Sequence, residues 1–536
     1  MQIAQQLRLL FLTSLLLNIL LTADAQNERP NILLVITDDL GVDFSNGYHQ
    51  ANLMPNTPTL DRLRASGITF ENVFAAPVCS PTRAAILSGK YGVKNGVLGV
   101  PGHLDTSHVS LFKALSNETH GAYADALIGK WHLSSPVDPQ HPLDHGADDF
   151  MGVLRGAVND YFLWSRTEDG QTVMDSSYVT SSFTDASIDW INAQTQPWFL
   201  WLAHVAPHSP FHTPPSNLYT IPNPGNNVRN YVAMVESVDT ELDRLLKNIP
   251  EEVLENTIII FVGDNGTPGA ILQDYPTGHG KGSLYQGGIR VPMIVSGAGI
   301  ERQGEREEAL VHVADIYATI LELAGAELPG GIHNSLSFEH LLKNEPGASR
   351  DYNYSEHTNN GENTFAIRNT RYKLIEFTSD GTQEFYDLLN DSLETNDLLN
   401  AALTAEQADI KADLEAEAAQ IRTAWSCRDH IQNGDEEGID CGGSLCAACT
   451  TSSGEPAKEN QIRIFPNPAS NILNIRSSDV FIREVKIFDA MGRLLWEKKH
   501  LNTASEQIEL GRFPQQVLFV ELRYDSGSKI ERIVKL

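Results

Sequence analysis

The sequence predicts an α/β fold: a large, helix-flanked, mostly parallel β-sheet, followed by a small antiparallel-sheet subdomain and a C-terminal β-sandwich. Three observations carry that prediction. Asn31–Thr37 and Thr257–Gly263 are unbroken apolar runs rich in β-branched residues, the pattern of strands buried on both faces by covering helices. Between them, residues 58–66 and 231–247 carry apolar side chains at helical spacing. From about residue 351 the pattern changes to short alternating strands, among them 365–368 and 372–375, and strands return from 462 to the end.

A chain of 536 residues has room for several domains. Its 69 acidic against 39 basic residues give a net charge of -30, which excludes generic attraction to nucleic acid or to an anionic membrane. An anionic substrate is not excluded, because screening over about 8 Å lets local cations outweigh distant carboxylates. Residues 1–25 read as a signal peptide, with an apolar run over 9–21 and Ala23-Asp24-Ala25 before Gln26. That run is shorter than the roughly 20 residues needed to span a bilayer. Export is therefore expected. Four of the five cysteines, Cys427, Cys441, Cys446 and Cys449, crowd into one segment that can pair internally in any of its connectivities. Cys79 is the odd one out, and an unpaired exported cysteine suggests chemistry.

Taken in order, the first strand ends in Asp38-Asp39. Adjacent carboxylates where a buried strand emerges repel one another unless a cation sits between them, which makes the pair a candidate hard-metal site. The stretch 77–89 reads as a loop entering a helix, with Pro81 in the first turn and residues 84–87 continuing it. Cys79 at that N-terminus, with Arg83 one turn on, is expected to be an activated thiol. Lys130 and His132, at i and i+2, share one face if they lie on a strand. The second long strand ends in Asp264-Asn265-Gly266. Parallel strands gather their carboxyl ends at one edge, where ligands bind. Asp38, Asp39, Asp264 and Asn265 would there form an all-oxygen donor set suited to Ca²⁺ or Mg²⁺. Residues 311–323 and 405–425 read as further helices.

Cys79-Ser80-Pro81-Thr82-Arg83 matches the cysteine-type sulfatase signature, and Gly129-Lys130-Trp131-His132, Ala206-Pro207-His208-Ser209-Pro210 and the segment 278–292 match further motifs of that family. Over roughly 30–424 the chain resembles the formylglycine-dependent sulfatases of the alkaline-phosphatase-like superfamily. The resemblance implies a catalytic α/β domain over 26–350 and a C-terminal subdomain over 351–425. It implies that a maturase oxidises Cys79 to formylglycine, whose hydrate is the nucleophile. Calcium would be held by Asp38, Asp39, Asp264, Asn265 and the residue at Cys79. Lys130 and Lys281 would bind sulfate, Arg83 and the metal would polarise the nucleophile, His132 would contact its hydroxyls, and His208 or Lys281 would protonate the leaving oxygen. His204 and His212 are expected to be satisfied structural histidines, and His312 and Asp315 structural as well. Ala147 stands where the family has phenylalanine. Gln286 stands where it has glutamate, which puts in question an ion pair holding Arg290.

Residues 426–460 read as a cysteine-rich, disulfide-stapled linker. Residues 461–536 resemble the type A C-terminal sorting domain of type IX secretion, which implies contact with that secretion machinery and a secreted or cell-surface location. A carbohydrate-binding β-sandwich is the alternative for this segment. The expected function is desulfation of sulfated polysaccharides or their oligosaccharides. The rivals are a phosphoester or phosphonate hydrolase of the same superfamily and a non-catalytic sulfated-glycan binding protein.

Overall fold

The computed structural model describes residues 29–423, apart from 49–51, 136, 330–333, 360 and 378–380, and the strand segments of 462–535. The expected signal peptide and cysteine-rich linker lie outside the described residues. Ten strands form the main sheet: β1 (Asn31–Thr37), β2 (Gly67–Phe74), β3 (Ala124–Lys130), β4 (Asp149–Val153), β5 (Trp164–Glu168), β6 (Gln171–Asp175), β7 (Trp198–Ala203), β8 (Thr257–Gly263), β9 (Met293–Gly297) and β10 (Glu305–His312). Their order is β10-β2-β9-β8-β1-β7-β3-β4-β5-β6. The centre, β8-β1-β7-β3-β4, is parallel throughout. The antiparallel members are β9 and the outer β5–β6 hairpin.

Every residue of β1, β7 and β8 is buried. Successive side chains alternate between two cores: Ile32, Leu34 and Ile36 point into one, and Leu33 and Val35 into the other. This is why these strands read as continuous apolar runs. Helices Cys79–Ser88, Leu111–Glu118 and Asp315–Leu323 supply the first core, and Val179–Ala193 and Asn227–Lys247 the second. The predicted helix over 311–323 divides. Val311 and His312 complete β10, and the helix begins only at Asp315, which accepts the His312 amide and pairs with Arg350. Asp315 and His312 are thus structural, as expected.

The subdomain is an antiparallel sheet of β11 (Asn353–Asn359), β12 (Glu362–Arg368), β13 (Tyr372–Phe377) and β14 (Thr382–Asp387), closed by helix Ala405–Thr423. Among the described residues no helix is long and apolar enough to cross a membrane. The C-terminal unit contains β15 (Ile462–Phe465), β16 (Ile472–Ser477), β17 (Ile482–Asp489), β18 (Leu494–Lys498), β19 (Ser505–Glu509), β20 (Gln516–Tyr524) and β21 (Gly527–Lys535). They make two antiparallel sheets, β15-β16-β19 and β18-β17-β20-β21. Leu473 and Ile475 of one and Val485, Ile487 and Val520 of the other share a single apolar core, the construction of a sandwich.

Candidate active site

Because β1, β3, β7 and β8 run parallel, the residues after them emerge on one edge of the sheet. Asp38 and Asp39 leave β1, Asp264 and Asn265 leave β8, Lys130 ends β3, and the turn after β7 carries His208. Helix Cys79–Ser88 brings Cys79 to the same point. Potential ligand atoms of Asp38, Asp39, Cys79 and Asp264 lie within 4.8 Å of one another, all on buried residues. Cys79 is the free cysteine of the described residues, and its Sγ lies 3.4 Å from Asp38 Oδ1.

Three cations are built into this cluster. Lys130 Nζ contacts Asp38 Oδ2 at 2.5 Å, with both side chains fully buried. Arg83 donates from Nη2 to Asp264 Oδ2 at 2.8 Å and from Nη1 to the Lys130 carbonyl at 2.8 Å. Lys281 Nζ sits 2.5 Å from Asp39 Oδ1 and 3.8 Å from Cys79 Sγ. Burial pushes the Asp38 carboxyl up, but Lys130 first, then His208, Arg83 and Lys281, outweigh it and hold the group well below the usual carboxylate range. Asp264 is raised to about 6 by burial and by the neighbouring charge of Asp38, with Arg83 opposing. Lys281 is held above the usual lysine value: burial acts against its charge, and Asp39 overrides that.

The thiol is not activated. Burial, reinforced by Asp38, pushes Cys79 up to about 12, and this outweighs the helix terminus and the cations that suggested the opposite. As a thiol Cys79 stays protonated and is a poor nucleophile. The strand-face reading of Lys130 and His132 also fails. β3 stops at Lys130, and His132 adopts a left-handed backbone with φ 60°, which turns its ring beside the cluster. Ser80 Oγ donates to the His132 carbonyl at 2.8 Å, tying that turn to the residue after Cys79. Burial, followed by repulsion from Lys130 and Arg83, pushes His132 down to about 2, so its imidazole is neutral. His208 is the more open member: its side chain is 17% exposed and Nε2 lies 3.8 Å from Asp39 Oδ2.

Of the other two histidines, His212 is satisfied by the Pro210 carbonyl and the Tyr178 hydroxyl. His204 is not. It is fully buried, neither ring nitrogen has a hydrogen-bond partner, and burial lowers it to about 4. The concern over Gln286 resolves differently. Arg290 takes its partner from Glu71, bonding both its carbonyl and its carboxylate. The Gln286 backbone N–H donates to Glu394, whose other oxygen meets Lys373.

Supporting residues escaped the sequence reading because they act through hydrogen bonds made across the fold. Tyr231 donates to the Asp39 carbonyl at 2.6 Å, from a helix that otherwise looks merely amphipathic. Tyr161 donates to the His208 carbonyl at 2.6 Å. Gly156 abuts the His132 ring so closely that a Cβ would sit 2.3 Å from it. Only the glycine hinted at a close approach.

The donor chemistry fits a hard divalent cation. Asp38, Asp39 and Asp264 supply oxygen ligands, and Asn265 Oδ1 is buried without a hydrogen-bond partner while its Nδ2 donates to Asp39 Oδ1.

Comparison with known proteins follows the same lines. Residues 30–326 match the family described as Sulfatase, and residues 279–424 match N-sulphoglucosamine sulphohydrolase, C-terminal. Residues 452–535 match a domain of unknown function. Arylsulfatase J of Mus musculus is 28% identical over 328 residues, covering 57% of this chain and 54% of its own. N-acetylgalactosamine-6-sulfatase of Sus scrofa is 29% identical over 340 residues, covering 56% and 63%. The chain thus spans less than two thirds of these relatives' lengths. A sulfatase of Formosa agariphila is 26% identical over 487 residues, covering 70% and 85%. Among solved structures, Ps i-CgsB in complex with k-i-k-neocarrahexaose superposes with a TM-score of 0.65 at 26% identity, covering 76% of this chain and 94% of that one. A protein solved with its substrate D-glucosamine-2-N,6-O-disulfate gives 0.63 at 22% identity, covering 76% and 100%, a likeness of fold.

Proposed function

From the premise that the chain belongs to the sulfatase family, whose match covers residues 30–326, we propose that it hydrolyses sulfate esters of sulfated glycans. The observation that carries this reading is the meeting of Asp38, Asp39, Cys79 and Asp264 within 4.8 Å, with Lys130 and Lys281 in contact with it. Glycan substrates are supported by relatives that act on or bind sulfated sugars.

A sulfate ester is already anionic, so the site must neutralise charge and supply a strong nucleophile. Cys79 as a thiol supplies none at neutral pH. Oxidised to formylglycine, the residue would supply as its hydrate one hydroxyl to attack sulfur and a second whose proton loss releases sulfate. A calcium ion at Asp38, Asp39, Asp264 and Asn265 would supply charge for the sulfate oxygens and acidify the hydroxyl. Arg83 holds Asp264 and the end of β3 in place for that geometry. Lys281, within reach of the residue 79 side chain, and Lys130 stabilise oxyanion charge as preorganised cations. His208 and Lys281 are the partly exposed members, with side chains 17% and 20% exposed, so the leaving alcohol departs past them and takes its proton there. His132 is neutral and can accept a proton. A base this weak serves only for a hydroxyl that neighbouring cations have made acidic.

Export through a signal peptide and a C-terminal sorting domain completes the proposal. Its support is the composition of residues 1–25 and the sandwich construction of the C-terminal unit. The test is to express the chain with and without a formylglycine-generating maturase. The mass of the Cys79 peptide and the release of sulfate are then measured before and after chelation and calcium return. Conversion of Cys79 together with calcium-dependent sulfate release is expected. Converted protein that releases no sulfate from any ester overturns the reading.

A further inference from the structure

We propose that Arg155 and the cavity beside it form a second anion-binding subsite. It would receive a sulfate or carboxylate on the sugar residue next to the one that carries the scissile ester. This rests on the sulfated-glycan reading above and adds a specificity determinant to it. Every other arginine between residues 29 and 423 has an ion pair, a hydrogen bond or a ring contact. Arg155 has none among the described residues, although the chain carries 69 carboxylates. It is exposed and lines a cavity of about 360 Å³, within the range of small-molecule sites.

The cavity adjoins the catalytic cluster. Its wall includes Val153 and Leu154, whose carbonyls accept the amides of Trp131 and His132 at 2.9 and 3.2 Å. The residue after Arg155 is Gly156, which abuts the His132 ring. Arg155 thus stands between the residue that holds His132 and the residue that touches it. The lining also includes Leu163 and Met174, 52% and 61% exposed. These are apolar surfaces of the kind that pack against the C–H faces of a sugar ring. Asn159, exposed and without a hydrogen-bond partner among the described residues, also lines the cavity and can bond a ring hydroxyl. An unpaired guanidinium, an unpaired amide and a small apolar wall make a site for a charged sugar, whereas an aryl sulfate has nothing to place there.

The experiment compares 4-nitrophenyl sulfate with a panel of defined sulfated di- to hexasaccharides, from carrageenan and from glycosaminoglycans, in the matured full-length protein. The wild type is expected to prefer at least one oligosaccharide with anionic groups on adjacent residues. Arg155→Ala should lower that preference, the ratio of kcat/KM values, about tenfold or more, as loss of a charge-assisted hydrogen bond would, and Arg155→Lys should restore part of it. An unchanged ratio in Arg155→Ala, or a wild type that prefers no panel member, overturns the subsite. Binding of fluorescently labelled panel members separates the two readings. If no compound loses sulfate but a labelled oligosaccharide binds and Arg155→Ala weakens it, the hydrolase reading falls and the subsite stands.

Discussion

Removing one partner of the Lys373–Glu394 ion pair tests whether the small subdomain sets the position of Lys281. Both side chains are 0% exposed and Lys373 Nζ meets Glu394 Oε1 at 2.5 Å. The other Glu394 oxygen accepts from the Gln286 backbone N–H, at the start of the turn that follows the Lys281 loop. Glu394→Gln keeps the shape and an acceptor but leaves a buried cation uncompensated. Breaking a buried pair from one side costs about 3–5 kcal/mol. A unit of ~400 residues has an unfolding entropy near 0.8 kcal/mol/K, so the melting temperature should fall by about 4–6 °C.

The double variant Lys373→Met/Glu394→Gln removes both charges and should melt above the Glu394→Gln single. The pH dependence has a defined sign. Burial already lowers Lys373 below its ordinary 10.5, with Glu394 opposing. Without Glu394 it falls further, the folded state binds fewer protons than the unfolded one, and the deficit narrows as pH rises toward 10.5. Calorimetry of Glu394→Gln, of Lys373→Met and of the double variant at pH 6 and pH 9, with sulfate release at each, checks this. Single variants that melt with the wild type, or a double variant that loses the sum of both, would refute the reasoning.

Asp125, inside the fold at the start of β3, is raised to about 8 by burial, with repulsion from Asp148 adding to it and the Asp148 amide opposing. The folded state therefore holds a proton that the unfolded state loses near pH 4, and the stability this group permits declines as pH rises from about 4 to about 8. Asp125→Asn should gain melting temperature over the wild type progressively across that window, and a constant difference would contradict it. Gln286→Glu should not create a pair with Arg290, which is already on Glu71. It buries a second carboxylate near Glu394 and should lower thermal stability, whereas a gain would show that Arg290 can be recruited. Arg83→Lys cannot reach both Asp264 and the Lys130 carbonyl. It should lower kcat at least about a hundredfold, the scale of losing one preorganised electrostatic contact, while the Cys79 peptide is still converted; retained turnover would remove Arg83 from the machinery.

Much of the site was legible because its residues stand next to strong local patterns. Asp38-Asp39 and Asp264-Asn265 each follow an apolar run that could only be a buried parallel strand, and the edge at which parallel strands end is fixed by topology. The residues 79–83 announce a loop-to-helix entry with unusual chemistry. What failed depended on environment. The Cys79 thiol was expected to be acidic from its helix position and nearby cations, but complete burial beside Asp38 reverses the sign. Pairing His132 with Lys130 on one strand face needs a strand that runs through both, and β3 ends at Lys130, two residues short of His132.

The sequence by itself determined the α/β class, the edge on which chemistry gathers, and the identity of the residues there, because periodicity and short motifs are local properties of the chain. Only the tertiary structure decided the partners. Glu71 rather than residue 286 holds Arg290, Glu394 rather than solvent faces Lys373, and Arg155 alone among the described arginines between residues 29 and 423 is left without an ion pair, hydrogen bond or ring contact. Those contacts join positions far apart in sequence, and a carboxylate's nearest cation is set by how sheets and loops pack, which no local pattern encodes.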